Sequence, residues 1–242
     1  MKSIVILPTY NEAGNIIPLV EEVLRQREEI EALVVDDDSP DGTWKLVEEM
    51  GKKNPRVRLM RRMENRGRGF AGIDGFKQAL SMDADRIVEM DADFSHDPSY
   101  LPAIIEASES ADLVIGSRYV PGGRDEERGI MRRVVSSLAR RYLRWVLGIS
   151  VCDPTSGYRC FRRGALASLM RQDIRAGDPF IITELLFWSG RLGLRIVEVP
   201  IVFRARRAGS SKLHPFTLLK YCVKVLALRL SASKGRGNNA AA

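Results

Sequence analysis

Short apolar runs alternate with amphipathic stretches through the first half of the chain. Ser3 to Leu7 is a β-branched run that stops at Pro8. Glu12 to Arg27 follows with Ile16, Ile17, Leu19, Val20, Val23 and Leu24 at helical spacing. "EALVVDDDSPDG" reads as a buried strand closed by a turn cluster, Thr43 to Met50 as an amphipathic helix, and "VRLMRR" as a third strand. A glycine-rich lead opens a helix in "FAGIDGFKQALSM". "DRIVEMDAD" is a fourth strand, Tyr100 to Ser108 a helix and "ADLVIGSRY" a fifth strand. This alternation, with short connections, predicts an α/β fold whose mostly parallel sheet is flanked by helices.

After Val120 the pattern changes. "PGGRDEERG" is rich in turn formers, and Ile130 to Leu147 then reads as an amphipathic helix. Its expected apolar face is Met131, Val134, Val135, Leu138, Tyr142 and Trp145, flanked by Arg132, Arg133, Arg140, Arg141 and Arg144. "CDPTSGYRCFRR" is a loop leading to a short strand, "DPFIITELLFWSGRLG" a helix and "LRIVEVPIVF" another strand. The basic loop "RARRAGSSKLH" precedes a last apolar helix, Phe216 to Leu230. The expected organisation is one domain over residues 1–212, a C-terminal amphipathic helix over 213–230 and a flexible tail over 231–242. The run Ile4 to Leu7 is too short for a signal peptide. No uncharged apolar stretch reaches the roughly 18 residues of a membrane span.

Composition narrows the functional classes. The chain has 242 residues, 45% of them hydrophobic, enough for one sizeable core. Three cysteines, Cys152, Cys160 and Cys222, match neither a metal spacing nor a disulfide framework, so a reducing compartment is expected. A net charge of +7 favours anionic partners: phosphorylated metabolites, an anionic membrane face or nucleic acid. Aromatic residues do not interleave with the basic ones along a strand, which argues against nucleic acid.

The chemistry gathers where strands end. "PTYNE", "DDDSPDGT", "DADFSHDP" and "GSRY" follow the first, second, fourth and fifth strands. In a parallel sheet these lie at one edge, where ligands bind. Asp91 and Asp93 are two apart in extended chain, so both carboxylates are expected to point the same way. Such a pair repels unless a cation lies between, and Mg²⁺ or Mn²⁺ supplies one that also carries substrate phosphates. Ser95 offers a hydroxyl as a further ligand or a holder of metal-bound water; His96 is the weaker ligand candidate, since Mg²⁺ prefers oxygen. Asp36 and Asp37 can accept hydrogen bonds from a base edge or a ribose. No dinucleotide GxGxxG directly follows their strand, and no GxxxxGK[ST] occurs. "NRGRGFAG" reads as turn chemistry with tight packing rather than a phosphate cradle.

Taken in order, "PTYNE", "DDDSPDGT", "DADFSHDP", "GSRYVPGG" and "GSSK" resemble the family 2 glycosyltransferases of GT-A fold. The similarity is greatest to the dolichol-phosphate (polyprenol-phosphate) mannosyltransferases and runs from about Ile4 to Lys212. The resemblance implies a metal-dependent enzyme that moves mannose from GDP-mannose to a dolichyl or polyprenyl monophosphate with inversion. It implies Pro8, Tyr10, Glu12, Val35 and Asp37 around the nucleoside. It implies Asp91, Ala92 and Asp93 at the metal and diphosphate, with Ser95 where some members place a Gln ligand. Arg118 resembles an arginine at the donor–acceptor junction, Arg132 and Ser136 a pair holding the acceptor phosphate, and Arg206 and Lys212 basic groups over the donor diphosphate. Asp93, Arg118 and Arg132 are thus the expected catalytic residues.

The residues agree with those roles. Arg132 and Ser136 share a helix face because four residues make about one turn. A phosphate acceptor is already an anion and needs no general base, unlike a sugar hydroxyl. Relatives that build polysaccharide carry QxxRW; here "RYLRW" has Arg141 where Gln would stand. The expected location is cytoplasmic, peripheral on a membrane face, with the basic amphipathic helices 130–147 and 216–230 as candidates for surface contact. Two other readings stay open: a UDP-sugar transferase acting on the same lipid, and a non-catalytic nucleotide-sugar-binding subunit.

Overall fold

The computed structural model describes residues 1–126, 130–204 and 215–238, of which 130–134, 215–218 and 232–238 are described as backbone only. The first half is β1 (Ser3–Thr9), α1 (Ile16–Gln26), β2 (Ile30–Asp36), α2 (Thr43–Lys53), β3 (Val57–Arg61), α3 (Arg68–Ser81), β4 (Arg86–Glu89), α4 (Leu101–Ala107) and β5 (Leu113–Ser117). The second half is β6 (Arg124–Asp125), α5 (Ile130–Leu147), β7 (Arg159–Arg162), α6 (Arg163–Leu169), α7 (Ile181–Arg191), β8 (Ile196–Pro200), β9 (Val202–Phe203) and α8 (Pro215–Asn238).

Seven strands form one sheet in the order β3-β2-β1-β4-β7-β5-β8, and β6 pairs with β9 in a second, two-stranded sheet. Every pairing in the large sheet is parallel except those of β7, which runs antiparallel to both β4 and β5. Side-chain alternation along the strands sends Ile4, Ile6, Leu33, Val35 and Ile87 to one face and Val5, Leu7, Val34 and Val88 to the other. The first face is covered by α3, α5, α6, α7 and α8, the second by α1 and α4. The parallel strands therefore read as unbroken apolar runs, as strands buried on both faces must.

The glycines of "NRGRGFAG" and of the helix after it serve close packing, as expected. A Cβ on Gly75 would lie 2.8 Å from Ile6 Cγ2, and one on Gly69 would lie 2.3 Å from the Ala176 carbonyl oxygen. α3 thereby settles directly onto β1 and onto the loop before α7.

Three expectations need revision, and one helix is added. β4 ends at Glu89, so Asp91 and Asp93 lie in a bent loop beyond the strand. α5 has the expected bounds but turns another side inward. Leu143, Val146 and Leu147 are buried, while Leu138 and Trp145 are 58% and 85% exposed. The helix carries two apolar stripes, and the core takes the one made of Leu and Val. α6, in "RGALASL", has no counterpart among the expected elements; it is short and gains its helicity from burying Ala165, Leu166 and Leu169. α8 continues past Leu230 to Asn238, so the helix takes up most of the expected tail; residues 239–242 lie outside the described residues. No helix among the described residues is long and apolar enough to cross a membrane.

Gly69→Ala is expected to destabilise the protein by about 1–3 kcal/mol, because backbone rather than a flexible side chain meets the new methyl. Urea denaturation measures it; an unchanged midpoint would show that α3 can lift away freely.

Candidate active site

The carboxyl ends of β1 and β2 carry a closed set of hydrogen bonds. Asp36, fully buried, accepts from Thr9 Oγ1 (2.9 Å), Ser39 Oγ (2.7 Å) and the Ser39 backbone N–H (2.8 Å). Asp37 accepts from the Gly67 N–H at the start of α3 (2.7 Å) and pairs with buried Arg62. Arg62 also donates to Asp74 (2.8 Å) and to the Asn65 carbonyl (2.7 Å). Asn11 and Asp38, just beyond the strands, adopt φ values of 60° and 54°. Asp38 pairs with Arg61 and Arg66; the Arg61 bond is the chief force holding its carboxyl below the ordinary range. Tyr10 is 55% exposed beside this edge, and Glu12 accepts from the Asn15 amide (2.8 Å).

The loop after β4 is tightly determined. Phe94 has φ 63°, a left-handed conformation that costs a bulky L-residue about 1–2 kcal/mol. Its neighbours hold it there. Asp93 Oδ1 accepts from the Ser95 N–H (3.0 Å) and from Ser95 Oγ (2.5 Å). The Asp91 N–H donates to His96 Nδ1 (3.0 Å), which makes that nitrogen an acceptor and the ring neutral. Burial depresses the His96 pKa below its ordinary value, although Asp91 and Asp93 both pull the other way. The ring stacks on Tyr158 and meets Phe203 edge-on.

Arg68, from the first turn of α3, spans Glu89 (2.6 Å) and Asp91 (3.3 Å). Burial works against its charge, but the two carboxylates outweigh that and hold the proton more firmly than water would. Arg159 faces Glu89 across β4 and β7 and is fully buried. It donates to the carbonyls of Ser156 (2.8 Å), Pro154 (3.0 Å) and Ile182 (2.6 Å), and burial lowers its pKa to about 10.

At the end of β5, Arg118 makes a bidentate pair with buried Asp153, Nε to Oδ2 and Nη2 to Oδ1, each 2.7 Å. Its backbone N–H donates to the same carboxylate (3.0 Å), Nη2 also reaches Thr155 Oγ1 (2.8 Å), and Nη1 lies 3.8 Å from Asp125. Burial raises the Asp153 pKa, but the bonds from Arg118 more than offset this and hold it below the ordinary aspartate range. Arg140 of α5 lies over the Tyr119 ring at 3.5 Å.

The strand order, the acidic loop after β4 and the arginines paired with acids gather a dense set of charges at one sheet edge. Residues 4–170 match the model of the family described as glycosyl transferase family 2. The chain belongs to that family. The glycosyltransferase is 41% identical over 214 residues to an undecaprenyl-phosphate mannosyltransferase of Micrococcus luteus, covering 88% of both chains. It is 38% identical over 226 residues to a polyprenol monophosphomannose synthase of Mycolicibacterium smegmatis, covering 93% of this chain and 85% of that one. Among solved structures it shares its fold with glucosyl-3-phosphoglycerate synthase of Mycobacterium tuberculosis in complex with Mn²⁺, UDP and glucosyl-3-phosphoglycerate. The TM-score is 0.66 at 24% identity, over 95% of this chain and 79% of that one.

The glycosyltransferase brings Pro8, Tyr10, Glu12, Asp37, Asp91, Ala92, Asp93, Ser95 and Arg118 to the carboxyl edge of its sheet. Val35 points its side chain into the core against α3, which leaves its backbone for any ligand contact. Ser95 is fully buried and gives its hydroxyl to Asp93, so it orients the carboxylate. Ser136 lies on α5; Arg132 is described there as backbone only, and Arg206 and Lys212 lie outside the described residues. The residues that sequence reasoning missed are Arg62, Arg68, Asp153 and Glu89. Only their position beside strand ends or in a glycine-rich helix start marked them. Among the described residues no three His, Cys, Asp or Glu form a metal-holding group. Asp91 and Asp93 still fit a hard cation that takes its remaining ligands from substrate phosphate and water, the usual habit of Mg²⁺.

Asp153→Asn is expected to destabilise by about 3–5 kcal/mol, since it strands a buried guanidinium. Because the folded Asp153 stays ionised to lower pH than an unfolded aspartate, its contribution is intact above the ordinary aspartate range and fades as pH falls through its depressed pKa. The variant should therefore lose stability at pH 7 while its acid unfolding becomes shallower. Guanidinium melts across pH check both; equal stability at pH 7 would mean that Arg118 finds another partner.

Proposed function

We propose that this glycosyltransferase moves mannose from GDP-mannose to a polyprenyl or dolichyl monophosphate, with inversion. It would work as a peripheral protein on the cytoplasmic face of a membrane. The observation that carries the reading is the identity of 38–41%, over most of the chain, to relatives named for mannose transfer to polyprenyl phosphate. The family and the acidic loop beside the sheet edge support it.

In this reading Pro8, Tyr10, Glu12, the Val35 backbone and Asp37 surround the nucleoside. Asp37 is anchored by Arg62 and the start of α3, so that wall is fixed before the donor arrives. Asp91 and Asp93 hold Mg²⁺ or Mn²⁺, the latter present in the M. tuberculosis complex, and Ser95 keeps Asp93 in its rotamer. The bound cation would offset negative charge on the departing nucleoside diphosphate. Arg206 and Lys212 cover that diphosphate from the basic loop. Arg132 and Ser136 grip the acceptor phosphate, and Arg118, fixed by Asp153, presents Nη1 at the junction of donor and acceptor.

The acceptor oxygen attacks the anomeric carbon as the sugar–phosphate bond breaks, in a single in-line displacement. No base has to take a proton, because the acceptor is already an anion. That agrees with a His96 that is neutral and engaged at Nδ1 by the Asp91 backbone. The chain's own work is to bring two anions together: guanidinium groups bind the acceptor, while fixed carboxylates would hold the cation that offsets the donor's charge.

Asp93→Ala is expected to lower transfer of radiolabel from GDP-mannose into a chloroform-soluble lipid by at least about 100-fold, the scale for losing a charge-stabilising group. Calorimetry should give tighter binding of GDP than of UDP in the presence of Mg²⁺. Wild-type protein that labels no polyprenyl phosphate with either Mg²⁺ or Mn²⁺ would sink the reading. Preference for UDP would move it to a UDP-sugar donor.

A further inference from the structure

Asp91, one of the two proposed cation ligands, already has a partner of opposite charge. Arg68 Nη2 lies 3.3 Å from Asp91 Oδ1, while Nη1 of the same guanidinium lies 2.6 Å from Glu89 Oε1. The two contacts are unequal. The Glu89 bond is short even for a charge-assisted one, and the Asp91 contact is longer than the ordinary range. They differ in burial as well: the Glu89 side chain is 1% exposed and that of Asp91 30%. Arg68 is thus anchored on the sealed acid and leans on the accessible one.

We propose that Arg68 competes with the divalent cation for Asp91, so that the cation binds weakly alone and firmly only together with the donor diphosphate. The inference rests on the metal and donor reading above and deepens it. It makes Arg68 a positioning residue and Glu89 its anchor. Three observations carry it.

The first is charge. Asp91 and Asp93 offer a cation two negative charges, and the guanidinium against Asp91 Oδ1 already offsets one of them. A divalent cation arriving beside Arg68 meets a like charge at close range. A diphosphate supplies the negative charge that offsets both, and a guanidinium fork suits phosphate as well as carboxylate. The second is an acceptor held in reserve. Glu89 Oε2 is buried and has no hydrogen-bond partner among the described residues. Arg159, opposite Glu89 on β7, directs its donors to the carbonyls of Ser156, Pro154 and Ile182. A guanidinium that gives up Asp91 can therefore pair with both oxygens of Glu89. An unfilled buried acceptor is costly, so filling it lowers the cost of leaving Asp91. The third is the surface on which the guanidinium rests. Gly72 lies one helical turn after Arg68 on α3, and a Cβ there would lie 2.9 Å from Glu89 Oε1 and 3.5 Å from Arg68 Nη1. The guanidinium and its anchor lie over bare helix, and no side chain of that turn wedges them in place.

Mn²⁺ binding to the purified protein tests the assignment, read by loss of the free-ion EPR signal with and without GDP. Arg68→Gln is expected to tighten Mn²⁺ binding without nucleotide by about tenfold, within the usual range of coupling between sites. GDP should tighten Mn²⁺ binding to the wild type, and that gain should be about tenfold smaller in Arg68→Gln, where the competitor is already gone. Damage to the fold would weaken binding, so the sign of the change separates the two causes. The double variant Arg68→Gln, Glu89→Gln removes one charge of each sign and leaves no buried carboxylate without its arginine, so it serves if the single variant does not fold. It too is expected to bind Mn²⁺ more tightly than the wild type without GDP. Tightening in Arg68→Gln but not in the double variant would assign the effect to net charge and overturn the proposal. Equal Mn²⁺ affinity of the wild type and both variants without GDP overturns it as well, while leaving the metal reading standing. A wild type that takes up no Mn²⁺ with either GDP or UDP removes the metal reading, and the proposal with it.

Discussion

Carboxylates gathered at one sheet edge have to be neutralised or hydrogen-bonded, and arginines meet four of those that matter most to the fold. Asp37 is met by Arg62, Glu89 and Asp91 by Arg68, and Asp153 by Arg118. Each arginine comes from a different element than its acid, so each pair also fixes two elements against one another. A buried ion pair adds little net stability, because desolvation consumes most of the attraction. Its effect is specificity of arrangement: β2, the start of α3, β5 and the loop before β7 are held in register at the place where chemistry is expected.

Backbone strain collects at the same edge. Asn11, Asp38 and Phe94 adopt positive φ just after β1, β2 and β4. Asparagine and aspartate tolerate this region, and Phe94 does not do so willingly. The bonds from Ser95 and His96 on either side keep the loop in place. Strain that is over-determined by its surroundings belongs to sites that must be ready before a ligand arrives.

Much of this was legible in the sequence. Apolar runs bounded by turn formers gave the strands, helical spacing gave most helices, and the acids after "VVD" and "IVEM" marked the edge. What stayed hidden was non-local. Arginine is common in this chain, so nothing local singled out Arg62, Arg68 or Arg159 as buried. Leu138 and Trp145 looked like a core stripe because periodicity reports that a stripe exists and not which of two is covered. The antiparallel sense of β7 had no signature either, since a four-residue strand reads the same in both directions. Ser95 was recognised as part of the acidic loop, but its bond to Asp93 needed the turn that Phe94 makes.

The direction of β7 reaches beyond sheet pairing. β5 ends at the carboxyl edge, and an antiparallel β7 begins there. The chain between Arg118 and Tyr158 therefore departs from and returns to the same rim, like a handle fixed at both ends to a lid. A segment attached in this way can vary in length outside the buried face of α5 without moving β1, β2, β3 or β4. Variation confined to that excursion leaves the order β3-β2-β1-β4 as it stands, because neither β1 nor any strand paired with it lies within the excursion.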